Sequence, residues 1–365
     1  MLESVEWGEY RLGNLFEILS PKRRFDANKV VIGRKGYPYV VRTSQNNGVR
    51  GFIEEDEEFL NESNTISFGQ DTATMYYQPL PYFTGDKIKV LRPRFSQFNH
   101  KNAQFFISCL QKTFLAFAWG ASSFKVKVLE KQVLVLPSRS GAPDFEFMEK
   151  FIAELNAVRL AELNAYLTIT GLKDYSLTPE EEQAIKDFET GSVKWGEFDV
   201  IKVFDVRNAG NILANEIVEG SGSTPYLCAS RENNAVSSYI SYREELITEG
   251  NCIFIGGKTF VVTYQECDFF SNDSHNLTLR LYDSEHRTKL KQLYLVTCIN
   301  KSLGHKYSWG YSVSNRKIQK DKILLPCFHG QVDFSKMGTF ISAIQKLVIK
   351  DVVLYADERL RQQNR

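Results

Sequence analysis

The sequence predicts an α+β fold: two pseudo-repeated globular domains separated by a pair of long antiparallel coiled-coil-like helices. Three observations predict it. The chain repeats itself, with Val5-Glu6-Trp7-Gly8-Glu9-Tyr10 returning as Val193-Lys194-Trp195-Gly196-Glu197-Phe198. Each copy opens with short alternating apolar runs broken by Gly, Asn, Asp and Pro, the pattern of strands and turns. Each closes on a run whose apolar residues recur every three or four positions, the pattern of a helix with one apolar stripe. The expected boundaries are 1–142 for the first domain and 143–192 for a spacer helix and connector. The second domain takes 193–331 and a second spacer helix 332–365.

The repeat holds along the chain. Tyr37-Pro38-Tyr39-Val40 returns as Thr224-Pro225-Tyr226-Leu227, and Asn46-Asn47 as Asn233-Asn234. Asn64, Ile66 and Gly69 match Asn251, Ile253 and Gly256, and Tyr77-Gln78 matches Tyr264-Gln265. Later the offset drifts by a few residues: Cys109 to Cys298, Trp119-Gly120 to Trp309-Gly310, Leu136-Pro137 to Leu325-Pro326. Such drift means short loop insertions on a shared scaffold. Two copies in one chain make a pseudo-dimer, suited to reading something with two similar halves.

Within each copy, strands are expected around residues 63–68, 87–91 and 131–135, and around 251–255 and 322–325. One helix interrupts them, over 103–117 and again over 289–302. Asp144 and Asp333 are placed to cap the long helices. The first stripe is Met148, Phe151, Ile152, Leu155, Val158, Leu163 and Tyr166. The second is Met337, Phe340, Ile341, Ile344, Leu347, Val348, Val352 and Tyr355. Each wants a partner along its length, and the other copy is the obvious one. At about 1.5 Å per residue such a helix is some 40 Å long, close to one turn of B-DNA at about 34–36 Å. Between the copies, Thr178-Pro179-Glu180-Glu181 carries a capping box and opens a short connector helix.

At 365 residues the chain suits two domains of ordinary size. The repeat is far longer than the roughly 20–50 residues of a solenoid. Net charge is +1, so any nucleic-acid affinity must be local or supplemented by a partner. Six cysteines show no metal spacing, and the matched pair Cys109 and Cys298 reads as buried free thiols in a reducing cytosol. The start of the chain lacks a signal-peptide core, and no apolar window reaches membrane-spanning length, so a cytoplasmic location is expected.

The whole architecture resembles the specificity subunits of restriction–modification systems, which carry two target recognition domains, each followed by a helix, with the helices pairing antiparallel. The matching residues are Trp7 with Leu12-Gly13-Asn14-Leu15-Phe16, and more loosely Trp195 with Val200-Ile201-Lys202-Val203-Phe204. A strand such as Thr224-Pro225-Tyr226-Leu227 leads into the Asn pair, and an apolar strand ends at Pro137 or Pro326 before the helix. The second copy lacks the Leu-Gly pair. The compact size looks more like the type IIB subunits, whose partner fuses nuclease and adenine methyltransferase, than the longer type I subunits.

The resemblance implies that each domain binds one half of a split DNA site, with base edges read by Arg, Asn, Gln, Ser and Thr and phosphates held by Lys and Arg. Three matched segments offer such groups. The first is Arg42, Thr43, Ser44, Gln45 and Asn46, matched by Ser230, Arg231, Glu232 and Asn233. The identical Asn pair favours a turn, so its unlike neighbours are the better base readers. The second contains Gln70 and Thr72, matched by Lys258 and Thr259. Gly256-Gly257-Lys258-Thr259 only superficially resembles a phosphate loop, because the upstream Gly is missing. The third contains Ser122, Ser123 and Lys125, matched by Tyr311, Ser312, Ser314 and Arg316. Beside it Trp119 and Trp309 read as core anchors rather than stacking platforms. Lys127 and Lys317 are further phosphate candidates.

No adenine-methyltransferase loop of the Asn/Asp-Pro-Pro-Tyr/Phe type is present, and the five histidines are scattered. The chain is therefore read as a non-catalytic specificity subunit, with no catalytic residue, metal or cofactor of its own. The resemblance assigns S-adenosylmethionine and Mg²⁺, and ATP in the type I case, to a methyltransferase/endonuclease subunit docked on the helical pair. Double-stranded DNA is the other partner. Two alternatives stay open: an orphan repressor or anti-restriction factor on the same scaffold, and a protein-interaction scaffold without DNA.

Overall fold

The computed structural model describes residues 2–115 and 124–363, the last by its main chain alone. The chain divides into two compact units, Met1–Leu163 and Asn164–Arg365, so the division falls inside the first long helix.

In the first unit the strands Phe16–Leu19, Ile88–Pro93, Thr65–Gly69 and Met75–Gln78 lie side by side, all antiparallel. A second sheet orders Val49–Ile53, Tyr37–Val40 and Phe83–Thr84, the last pair parallel. The opening strand Glu6–Arg11 runs antiparallel to the closing strand Val133–Arg139, which folds back on Ala142–Pro143. The second unit repeats this strand for strand. Phe204–Asn208, Leu277–Leu281, Cys252–Gly256 and Val261–Gln265 form the larger sheet. Val236–Ile240, Thr224–Leu227 and Phe270–Ser271 form the second. Trp195–Asp199 pairs with Lys322–Phe328, and that with Gln331–Val332.

The cores match position by position. Leu12, Leu15, Phe16, Ile66 and Phe68 are buried with Leu134, Leu136 and Met148. Val200, Val203, Phe204, Ile253 and Ile255 are buried with Ile323, Leu325 and Met337. The helix packed on each sheet spans Ala103–Phe114 in one unit and Lys289–Leu303 in the other, and the expected end of the first at 117 lies outside the described residues. Loss of the Leu-Gly pair leaves the local fold intact. Leu12–Leu15 and Val200–Val203 form the same helical turn, tied by Leu12 N–H to the Gln132 carbonyl at 2.8 Å and Val200 N–H to the Asp321 carbonyl at 2.9 Å.

Pro137 and Pro326 lie inside their strands rather than at the ends. Each proline carbonyl accepts the amide of the next cap residue, Asp144 at 2.8 Å and Asp333 at 2.9 Å. Those carboxylates cap the long helices Phe145–Ile169 and Phe334–Gln363, accepting from the amides of Phe147 and Lys336.

Both long helices depart from the expected stripes: on the first, Leu155, Val158 and Tyr166 are exposed while Leu160 and Leu167 are buried, and the late part of the C-terminal helix shifts as well. Val353 and Ala356 are buried, while Leu347, Val348, Val352 and Tyr355 are exposed. The run 347–355 is apolar on nearly every face, so periodicity alone does not choose one. The connector chooses. Its helix Pro179–Glu189, with the expected capping box at Thr178, packs on the C-terminal helix. The buried Glu181 carboxylate accepts from Ser342 Oγ at 2.6 Å and Lys346 Nζ at 2.9 Å, and Phe188 meets Phe340 at 4.7 Å. Burial alone would raise the Glu181 pKa. The bonds from Ser342, the Thr178 amide and Lys346 outweigh it and hold the carboxyl below its ordinary value. Glu181→Ala is expected to cost roughly 2 kcal/mol, read as a lower urea midpoint at neutral pH.

Candidate functional site

In both units the three segments chosen from the sequence converge. In the first, Arg42 Nη1 donates to Asp71 Oδ2 at 3.1 Å, joining the segment after strand Tyr37–Val40 to the tip after strand Thr65–Gly69. Gln70 Nε2 donates to the Phe124 carbonyl at 3.1 Å, joining that tip to the third segment, where exposed Lys125 precedes the short helix Val126–Leu129. In the second, Thr259 Oγ1 donates to the Ala229 carbonyl at 2.9 Å, and the Val313 amide donates to the Gly257 carbonyl at 3.1 Å. Ser314 precedes the helix Asn315–Ile318, with Ser312 beside it and Arg316 exposed. Ser122, Ser123 and Trp119 lie outside the described residues.

Local chemistry explains the shared frame. Asn46, Asn47, Asn233 and Asn234 all adopt left-handed φ between 47° and 52°, which Asn tolerates better than most residues. Asn46 Nδ2 donates to the Val49 carbonyl and Asn233 Nδ2 to the Val236 carbonyl, each at 3.0 Å. Gln78 Nε2 and Gln265 Nε2 reach the carbonyls of Asn47 and Asn234. Thr43 Oγ1 and Ser230 Oγ each accept the amide two residues on, from Gln45 and Glu232. Ser44, Gln45, Arg231 and Glu232 are left exposed beside this frame. The two glycines 256 and 257 serve packing. A Cβ on Gly256 would sit 2.7 Å from the Ala229 Cβ, and one on Gly257 2.4 Å from the His275 carbonyl.

The electrostatics differ between units. In the first, Asp71 on the tip pairs with Arg42 and with Lys87 at 2.8 Å. In the second, the tip bears Lys258, which pairs with Asp273 at 2.8 Å. The ion pair joins the same two loops with its sign reversed, and Ala229 stands where Arg42 stands. Burial would push the Asp273 carboxyl up, but Lys258 and the amide and ring of His275 hold it down at about 2. Thr72 is exposed at the first tip, bonded to Thr74 Oγ1 at 3.0 Å.

Two features escaped the sequence reading. The first is an open cleft of about 720 Å³ lined by Arg24, Arg42, Arg50, Asp26 and Asp86 with Tyr39. Its signal was present as a difference: Arg24 and Arg50 match Asn211 and Ser237 in the second copy. The second is Trp309, expected in the core and found 76% exposed, because the turn 308–311 carries it beyond Tyr307, which fills the core instead. Tyr311 stacks on Tyr307 at 5.9 Å, and Lys317 Nζ lies 3.8 Å over the Tyr311 ring. No group of three or more His, Cys, Asp or Glu is arranged for a metal among the described residues, and no helix there is long and apolar enough to cross a membrane.

Duplicated units with variable polar loops on one frame match the family described as the type I restriction modification DNA specificity domain, twice, at residues 4–165 and 192–353. The chain belongs to that family. It is a specificity subunit of a restriction–modification system, built from two such domains. A similar curated protein is the specificity subunit of a type II restriction enzyme from Heyndrickxia coagulans, 21% identical over 94% of this chain and 96% of that one. Among solved structures, the S subunit of a type I restriction-modification system from M. genitalium shares the fold. Its TM-score is 0.61 and its identity 14%, over 98% of this chain and 93% of that one.

The lowered Asp273 pKa gives a signed pH dependence. Its contribution to stability is complete above the unfolded carboxyl value of about 3.9 and is lost as pH falls through the folded value. Asp273→Asn is therefore expected to be less stable than wild type at pH 6. The gap should close between about pH 4 and pH 2, as followed by urea midpoints.

Proposed function

We propose that this subunit reads a bipartite double-stranded DNA target, one domain per half-site, and presents it to a partner bearing adenine methyltransferase and endonuclease activities. One observation carries the reading. The same frame brings the same three segments together in both units, while the exposed side chains on them differ. Two half-sites of unlike sequence require that combination. Arg42 or Arg231 suits guanine, Gln45 suits adenine, and Lys125, Lys258 and Arg316 suit phosphates. S-adenosylmethionine and Mg²⁺ belong to the partner.

In this reading the two long helices, Phe145–Ile169 and Phe334–Gln363, act as the spacer for the two half-sites. The exposed stripe Val348, Val352 and Tyr355, at i, i+4 and i+7 on the C-terminal helix, supports docking of the partner there. Sequence similarity to the specificity subunit of a type II enzyme, 21% identical over 94% of this chain, supports a type IIB-like system.

The deciding experiment maps adenine methylation in cells with and without this gene, with the partner shown to be expressed. A split motif that loses methylation on deletion is the expected result. An unchanged methylome would overturn the proposal. With the motif known, Arg42→Ala should relax discrimination by roughly 1–3 kcal/mol at one position of one half-site. Arg316→Ala should weaken all sequences alike and lower the salt slope by about 1. Competition binding at several salt concentrations reads both.

A further inference from the structure

We infer that Trp309 is a base-stacking side chain of the second domain, its indole lying against a nucleobase face in that domain's half-site; the inference rests on the DNA-recognition reading above. The turn that carries it is closed by two backbone bonds, Ser308 N–H to the Tyr311 carbonyl at 3.2 Å and Tyr311 N–H to the Ser308 carbonyl at 3.0 Å. Trp309 and Gly310 form the tip, and nothing lies within 4 Å of where a Gly310 Cβ would be. The base of the turn is rigid. Phe260 stacks on buried Tyr307 at 5.1 Å, Tyr307 stacks on Tyr311, and Lys317 covers the outer face of Tyr311. A large indole is thus held out on a stiff support rather than on a loose loop. That arrangement suits an aromatic that must meet a flat surface at low entropic cost.

The surroundings choose the surface. Around the turn stand Lys306, Arg316, Lys317 and Lys320; Lys306 is paired with the neighbouring Asp321, while Arg316 and Lys320 are exposed with no carboxylate paired to them among the described residues. Such a segment complements a polyanion. The amide of Val313 ties it to the tip bearing Lys258 and Thr259, so the indole projects from the same segment as the proposed phosphate contacts. Every base offers a π-face, so stacking adds affinity with little demand on sequence. Inserted between two base steps, an apolar ring also unstacks them locally.

The test uses the complex assembled with its partner and duplexes carrying the split motif from methylation mapping. A fluorescent analogue that keeps the pairing of the base it replaces, 2-aminopurine for adenine and pyrrolocytosine for cytosine, is placed in turn in either strand of both half-sites, excluding the methylated adenine. Wild type is expected to change the fluorescence at one step of the second half-site. Trp309→Ala should abolish that signal and weaken binding roughly 5- to 100-fold, while Trp309→Phe keeps most of both. A wild-type complex that binds the motif without any such signal would overturn the inference, as would full affinity in the alanine variant. So would a variant that binds DNA normally but fails to assemble with the partner, which would make Trp309 a protein contact. A wild-type complex with no preference for the split motif over random DNA would overturn the DNA reading itself, and this inference with it.

Discussion

In each unit the strand that opens the fold is zipped antiparallel to the strand that closes it, Glu6–Arg11 to Val133–Arg139 and Trp195–Asp199 to Lys322–Phe328. This closure brings the chain back to where it entered. The proline carbonyl of the closing strand then accepts the amide of the capping aspartate, and the aspartate starts the long helix. One turn later Met148 or Met337 points into the unit's own core, fully buried. The direction of each helix is therefore set by a strand pair, a cap and a packed side chain, with no flexible linker between. The loops joining the inner strands take no part in that closure, and their side chains are free to differ.

The differences between units follow that division. The bonds that hold the shared frame recur. Tyr39 donates to the Phe25 carbonyl and Tyr226 to the Ile212 carbonyl, both at 2.7 Å, and the Gln–Asn carbonyl bonds recur as well. Contacts between loop side chains do not. Arg42 with Asp71 gives way to Lys258 with Asp273, and three cleft arginines give way to Asn211, Ala229 and Ser237. The Tyr and Gln bonds survive because they need only a carbonyl that the frame supplies, whereas each ion pair depends on two side chains.

The repeat itself made the fold legible, since two independent copies of each strand signal reinforce a pattern that one short run leaves ambiguous. The caps at Asp144, Asp333 and Thr178 were legible because capping is local chemistry. Two things were not. The rotation of the C-terminal helix was hidden because 347–355 is apolar on nearly every face, and Glu181, far away in sequence, selects the buried side. The exposure of Trp309 was hidden because hydrophobicity argues for burial, while Tyr307 two residues earlier already fills that part of the core. For the site, the three segments were found from the repeat, but their convergence rests on single bonds such as Thr259 to Ala229 that no spacing rule encodes.

Net charge of +1 is a poor guide to what such a surface attracts. At physiological ionic strength charges are screened over about 8 Å, so a ligand responds to the patch it meets. In residues 305–320 the cations are Lys306, Arg316, Lys317 and Lys320, of which Lys306 is held by Asp321, whereas the acidic run 54–58 lies in the other unit, where Asp56 caps a turn and Glu57 accepts from Tyr37. What a polyanion meets on the second unit is the local surplus of cations around Trp309 and Arg316, and the strength of that encounter depends on salt far more than on the overall charge of the chain.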